Sequence, residues 1–256
     1  MNLIKVFIVI GNDKVIRYIM KILVIGDSCI DTFVYCHIDR ICPEAPVPVL
    51  QPGYKSTNPG MAGNVAANLE SLGAEVDLLT NSEMIEKTRY VDIKSGQMIM
   101  RLDDNDECEE YEGAFKTVGY DAIVISDYNK GFLNKDAIEA FVERAECPVF
   151  MDTKKILGDW CRNITFIKIN RPEALLNKNY IYDNLIVTDG KNGAIYNDKV
   201  FPVKKEVNVS NVSGAGDTFL AALSYKYIEK GDIETAIDFA NECASKVVQE
   251  RGVTIV

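Results

Sequence analysis

The chain has 256 residues, 47% of them hydrophobic and 26% charged, with a formal net charge of −10. This length supports one large domain with a full core. The negative charge argues against nucleic acid as the main partner, so an anionic small molecule would need a local cationic pocket or a metal.

Residues 4–10 read as a strand, and residues 21–26 read as a second, better one, because Gly26-Asp27 ends it with a turn. Residues 1–20 are therefore expected to be an N-terminal extension weakly tied to a domain spanning 21–256. The apolar run 6–10 is short and is cut off by Gly11-Asn12-Asp13, which makes it a poor signal peptide. No run approaches the roughly 20 apolar residues that cross a bilayer. The expectation is a cytoplasmic protein with no membrane partner. Seven cysteines, an odd number without C-x-x-C spacing, read as free thiols in a reducing compartment.

After the first strand, Asp27 and Asp31 would face the ligand crevice of a parallel sheet. Asp31 is a candidate to bind sugar hydroxyls; for Asp27, turn chemistry is an equal reading. Residues 32–38 suggest a strand. His37, the single histidine, reads as a strand residue without a catalytic part. Three prolines between Pro43 and Pro48 forbid a helix or a central strand there. A lid over the crevice, built from about 33–50 and 87–102, is one use; a plain edge strand is the other. Asn58-Pro59-Gly60-Met61-Ala62-Gly63-Asn64 reads as a glycine loop that offers backbone amides and Asn64 at the start of a helix ending at Gly73. Residues 75–80 form the next strand. Residues 88–93 and 97–102 alternate around Ser95-Gly96 as a β-hairpin. Arg101 there is either a contact for substrate charge or a solvated arginine. Residues 103–112 hold seven acids in ten positions and read as a solvated loop.

From 120 onward the rhythm is strand–helix–strand, with polar residues after each strand's end: Lys130 after the first, Lys154 after the second, Asn170 and Glu173 after the third, Thr188 and Gly190 after the fourth. The order implies an α/β fold with a doubly covered, mostly parallel sheet. Near the end, Asn211-Val212-Ser213-Gly214-Ala215-Gly216-Asp217 opens a helix that carries Phe219, Leu220, Leu223 and Ile228 on one face. Small residues at a helix start leave bare amides at the positive end of the dipole, which is an anion hole. Asp217 is placed to take a proton from a hydroxyl beside that anion, as phosphoryl transfer to an alcohol requires. An acid that only complements the dipole is the plainer alternative. A last helix carries Ala236, Phe239, Ala240, Cys243, Ala244 and Val247 on one face.

Gly26–Asp31, Gly60–Asn64, Asn170–Glu173, Thr188–Gly190 with Gly193, and Val212–Phe219 together resemble the ribokinase/PfkB carbohydrate kinase family, in that family's order. Residues 40–49 (RICPEAPVPV) and 126–131 (SDYNKG) resemble the kinases of D-glycero-D-manno-heptose 7-phosphate within it. The resemblance implies an ATP- and Mg²⁺-dependent sugar kinase. Asp217 would be the base, and Gly214, Ala215 and Gly216 the anion hole. Asp31, Gly60 and Asn64 would bind the sugar. Asn170 and Glu173 would organise Mg²⁺ with its waters, and Asn170, Thr188, Gly190 and Asn241 would line the nucleotide pocket. Lys130, Arg101 and Lys154 are candidates for the phosphate already on the substrate. Asn211 stands where many relatives carry an Asp that helps hold a monovalent cation, which leaves that requirement open. The connectors after Thr80 and Glu173 are short for the family, so a shortened inactive binder and a kinase for another sugar or a nucleoside are the rivals. With one histidine, the adenylyltransferase activity often fused to the heptose enzymes is not expected. Exposed strand edges in the lid would let two copies pair into a homodimer. Deleting residues 1–19 should leave the urea midpoint unchanged; lost stability would refute their reading as an extension.

Overall fold

In the computed structural model, residues 18–113, 116–204, 213–249 and 254–256 are described. The expected strand at 4–10, most of the N-terminal extension, and Asn211 and Val212 lie outside them. An eight-stranded sheet carries the fold, in the order β12-β11-β10-β9-β8-β7-β1-β4. Its members are β1 (Lys21–Gly26), β4 (Glu75–Thr80), β7 (Ala122–Asp127), β8 (Val149–Thr153), β9 (Phe166–Asn170), β10 (Leu185–Thr188), β11 (Ala194–Tyr196) and β12 (Lys199–Phe201). The run from β4 to β10 is parallel, and β11 and β12 close the far edge as an antiparallel hairpin.

Continuous apolar strands mean burial on both faces. Ile22 and Val24 of β1 and Val124 of β7 face one core, built with α1 (Ala62–Ser71), α4 (Ala215–Lys230) and α5 (Ile233–Val247). Leu23, Ile25, Ile123 and Ile125 face the other, under α2 (Lys135–Arg144). The short α3 (Arg171–Leu176) follows β9. None of the described helices is long and apolar enough to cross a membrane.

A second sheet, order β3-β2-β5-β6, occupies the stretches that the sequence assigns to a lid, but it is larger than expected. Its strands are β2 (Ser28–His37), β3 (Gln51–Met61), β5 (Glu86–Asp92) and β6 (Met98–Asp104). Two expectations are corrected here. Asp31 lies inside β2 rather than on a loop, and residues 58–61 end a strand that runs directly into α1. Two prolines and two glycines hid β3; they are tolerated because β3 is an edge strand. Residues 40–49 form no strand, only a bridge between Ile41 and Pro48.

Gly26 is where β1 turns into β2. Its φ is 152°, and a Cβ there would meet the Ser126 carbonyl oxygen at 1.9 Å. Gly26→Ala should cost on the order of 3 kcal/mol or more, since the obstacle is the backbone of β7 and cannot step aside. Urea unfolding checks this, and a loss under about 1 kcal/mol would contradict it.

Candidate active site

The site lies at the carboxyl ends of the parallel strands, between the large sheet and the second one. Gly214 starts α4 at φ 80°, a left-handed conformation, and no side chain caps the helix. Asp217, in the first turn, is buried. Its Oδ2 accepts a hydrogen bond from Asn64 Nδ2 at 3.0 Å, and its Oδ1 accepts one from the Tyr128 hydroxyl at 2.7 Å. Asn64 is itself oriented: Asn68 Nδ2 donates to its Oδ1 at 3.1 Å, and Thr218 Oγ1 donates to Asn68 Oδ1 at 3.2 Å. This chain fixes which end of the Asn64 amide meets the carboxylate. Met61, at φ 57°, makes the sharp exit from β3 that sets Asn64 in place.

Burial pushes the Asp217 carboxyl up to about 6, against the pull of the Asn64 and Tyr128 hydrogen bonds and the positive charge of Lys168. Lys168 was not singled out in the sequence. It sits alone in the apolar strand β9, and its ammonium lies 2.8 Å from where a Cβ on Gly216 would be. The Gly216 position thus puts a buried cation against the bare helix start. Lys168 donates to Asp152 Oδ2 at 2.6 Å. Asp152 Oδ1 is buried with no hydrogen-bond partner, and Lys154 stands 3.6 Å from it. Lys154 also reaches Glu173 Oε1 at 2.5 Å and lies over the Tyr128 ring.

Lys154 is therefore placed beside Asp217 and the Asn170–Glu173 pair, not among the groups of the second sheet. That pair is a capping box for α3: Asn170 Oδ1 accepts from the Glu173 amide at 2.9 Å, and Glu173 Oε2 accepts from the Asn170 amide at 2.8 Å. With Oε1 held by Lys154, each side-chain oxygen of the pair has a protein partner. The pair does not fit direct coordination of a metal, and among the described residues no cluster of three or more His, Cys, Asp or Glu side chains does. The start of α4, which no side chain caps, is instead suited to phosphate oxygens. Thr188 lies beside Asn170 in the sheet register, its hydroxyl donating to the Ile169 carbonyl at 3.3 Å, and Gly190 follows at φ 53°. Asn241 is buried on α5 and donates to the Phe201 carbonyl at 2.9 Å, tying the helix to β12.

On the second sheet, Asp31 Oδ1 accepts from Arg89 Nη1 at 2.5 Å. Gly60 packs so closely that a Cβ would meet Asp31 Oδ2 at 2.5 Å. The buried Cys29 thiol is pushed up to about 12, first by burial and then by the negative charges of Asp31 and Asp217. Arg101 is exposed and makes a two-pronged bond to Asp103, both distances 2.6 Å. Lys130 pairs with Asp106, and so does Lys87 at 2.5 Å. The acidic loop is thus not merely solvated, as the sequence suggested. Asp27 takes the turn-chemistry reading: it accepts from the Tyr128 amide at 2.7 Å and the Phe132 amide at 3.3 Å. Sequence reasoning missed Tyr128, Asp152, Lys168, Lys87 and Arg89. For Asp152 and Lys168 the available signal was charge inside strands that otherwise read as buried.

Residues 168–256 match the pfkB family carbohydrate kinase model, and the fold is that of solved ribokinases. Among curated proteins it is similar to the bifunctional protein HldE of a Nitratiruptor species, 32% identical over 292 positions, covering 91% of this chain and 62% of the relative. HldE of Campylobacter jejuni is 30% identical with the same coverage. The chain thus spans 62% of the length of these relatives. Among solved structures it resembles a Methanocaldococcus jannaschii nucleoside kinase at TM-score 0.65 and 18% identity, covering 91% of this chain and 93% of that one. Arabidopsis thaliana ribokinase, solved with ribose and ATP, matches at TM-score 0.63 and 14% identity, with coverage of 92% and 95%.

A carboxyl that titrates near 6 when folded and near its ordinary 3.8 when unfolded stabilises the fold fully below about pH 4. That contribution is lost as pH rises through 6. Asp217→Asn should therefore gain stability relative to the parent between pH 4 and pH 7, by on the order of 2 kcal/mol. Urea midpoints of both proteins at both pH values measure it. A difference that does not change with pH would count against an ionised, buried Asp217.

Proposed function

We propose that this domain transfers the γ-phosphoryl group of ATP to a hydroxyl of a sugar, with Asp217 as the general base. The observation that carries the reading is a buried carboxylate at an uncapped helix start beside the Lys168 ammonium. The acceptor hydroxyl gives its proton to Asp217 as its oxygen attacks the phosphoryl group, and ADP leaves. Asn64 and Tyr128 hold the carboxylate in one orientation, so it is positioned before the substrate arrives. The amides of Ala215 and Gly216, with Lys168 behind them, meet the negative charge of the transferring group. A divalent ion carried on the nucleotide would supply further positive charge. Glu173 would meet it through its water shell, because the carboxylate is already engaged.

Asp31, seated against Gly60, would bind sugar hydroxyls, and the second sheet would act as the lid over them. Its outer strands β3 and β6 are open edges on which a second copy could pair. Heptose 7-phosphate is the favoured acceptor. The support is the likeness to HldE proteins over 91% of the chain, together with Lys87 and Arg89 of the second sheet and Lys130 on the loop after β7. An inactive binder is the second reading. It is motivated by length: 91% of 256 residues is about 233, yet the alignment runs over 292 positions, so the relative carries segments absent here.

ADP release from ATP and Mg²⁺ with a panel of sugars decides between them, heptose 7-phosphate first. Asp217→Asn should lose about 10²–10⁴ in kcat. The rate of the parent should fall as pH drops through about 6, where the base takes up its proton. Turnover on another sugar alone would replace the acceptor and keep the mechanism. Nucleotide binding without turnover on any sugar would favour the binder.

A further inference from the structure

Both oxygens of the Asp217 carboxylate carry a protein donor, and the two donors are held with unequal firmness. Asn64 is buried in α1, and its amide is braced by Asn68, which Thr218 holds in turn. Tyr128 stands on the loop after β7 and is partly exposed. Among the described residues its hydroxyl makes one hydrogen bond, the 2.7 Å bond to Asp217 Oδ1. Asp217 itself is 4% exposed, so Tyr128 is the partner on its solvent side.

The backbone under Tyr128 is fixed. Its amide donates to Asp27 Oδ2 at 2.7 Å, and the Asn129 amide donates to Asp127 Oδ1 at 3.0 Å. Lys155 pairs with that same Asp127 oxygen at 2.6 Å. Asn129 turns the chain at φ 57°, a conformation that asparagine tolerates. The Tyr128 ring packs against Cys29, Met61 and Ile85, and the Lys154 ammonium stands 5.1 Å from its centre. Turning the hydroxyl away from Asp217 therefore breaks one hydrogen bond and leaves the loop in place. A base that serves a sugar hydroxyl must also be kept from water, or the phosphoryl group is lost to hydrolysis. The Tyr128 O–H meets the carboxylate as an acceptor hydroxyl would, yet it keeps its proton. Burial, then the charges of Asp217 and Asp152, hold its pKa well above the ordinary tyrosine value.

We propose that Tyr128 occupies the place of the acceptor hydroxyl on Asp217 Oδ1 until a sugar displaces it, and so withholds the base from water. This inference rests on the sugar-kinase reading and adds to it how the site tells a sugar from water. A sugar can offset the lost Tyr128 bond with contacts to its other hydroxyls; water has none to offer. The charged and titratable groups facing the pair are Asp152 and Lys154 from β8 and its end, Lys168 from β9 and Cys29 from β2. Asp27 meets the Tyr128 backbone rather than its hydroxyl. Against burial, Lys168 and Lys154 hold Asp152 below the ordinary carboxylate value, and Asp152 and Glu173 hold Lys154 above the ordinary lysine value. The Cys29 thiol, pushed up to about 12, stays neutral. Asp217 is the group that titrates near pH 6.

Tyr128→Phe keeps the ring and removes the hydroxyl. Its ADP release from ATP and Mg²⁺ without sugar should exceed the parent's about tenfold or more, a share of the roughly 10²–10⁴ that a general base provides. In that reaction water gives its proton to Asp217 as its oxygen bonds to the γ-phosphorus, and the bond to ADP breaks, leaving ADP and phosphate. Adding Asp217→Asn should abolish the gain. Tyr128→Leu makes the same test should Tyr128→Phe fail to fold. With a sugar that the parent turns over, the acid-side midpoint of kcat/KM should rise by about one pH unit in Tyr128→Phe, because the free enzyme has lost a bond that favours the ionised carboxylate. The midpoint of kcat should not move, because in the parent complex the sugar has already displaced Tyr128. Equal shifts in both profiles overturn the proposal, since Tyr128 would then stay on Asp217 throughout turnover as a fixed positioning group. Unchanged sugar-free hydrolysis overturns it as well. Either result leaves the kinase reading standing wherever the parent turns over a sugar. If Tyr128→Phe hydrolyses ATP in an Asp217-dependent way and the parent accepts no sugar, the guard on the base stands and the kinase reading falls.

Discussion

The arrangement depends on keeping one carboxylate ionised out of water. Desolvation alone would protonate Asp217, and a protonated acid cannot serve as a base. Three neighbours oppose that: the Asn64 amide, the Tyr128 hydroxyl and the Lys168 ammonium. They come from α1, the loop after β7, and β9, so the carboxylate is the point on which three separate elements converge. Its charge is tuned rather than fully stabilised. Full stabilisation would make it a weak base, and none would leave it neutral at physiological pH.

The same compromise explains the chain of charges behind the helix start. Lys168, Asp152, Lys154 and Glu173 alternate in sign from the core outward. An isolated lysine under the first turn of α4 would be costly to bury. Paired with Asp152 it is held in place, and Asp152 is balanced in turn by Lys154. Burial acts to strip Lys154 of its proton, yet Asp152 and Glu173 hold its pKa above the ordinary lysine value. Positive charge is therefore delivered to the helix start by Lys168, whose side chain is almost wholly enclosed.

Much of this was legible in the sequence where a single local rule decided the outcome. Gly214-Ala215-Gly216-Asp217 announces an open helix start because small residues and an acid have few other reasons to stand there together. The continuous apolar strands β1 and β7 announce burial on both faces. The legible part ended where partners are far apart in the chain. Arg89 and Asp31 are 58 residues apart, and Asn64 and Asp217 are 153 apart. Lys154 was read as a phosphate contact on residue type alone. Its position between Asp152 and Glu173 depends on the register of β8 against β9, which no single segment encodes. Strand β3 was missed because its prolines and glycines look like a loop until the strand is known to lie at an edge. The acidic stretch after β6 failed for the opposite reason: its composition is that of a solvated loop, and only the lysines across the cleft give Asp106 a specific place.

On the kinase reading, a protein of net charge −10 that takes in anionic ligands must separate its charges in space. Here the separation follows the two sheets. The cations near the cleft are held at low exposure, with Lys87, Arg89 and Lys168 buried and Lys154 and Lys130 partly so. Enclosed charges are screened little by salt and act at short range on whatever enters. The acids in excess lie mainly at exposed positions, where water and ions screen them within about 10 Å. An approaching anion thus meets weak repulsion at a distance and strong attraction at contact.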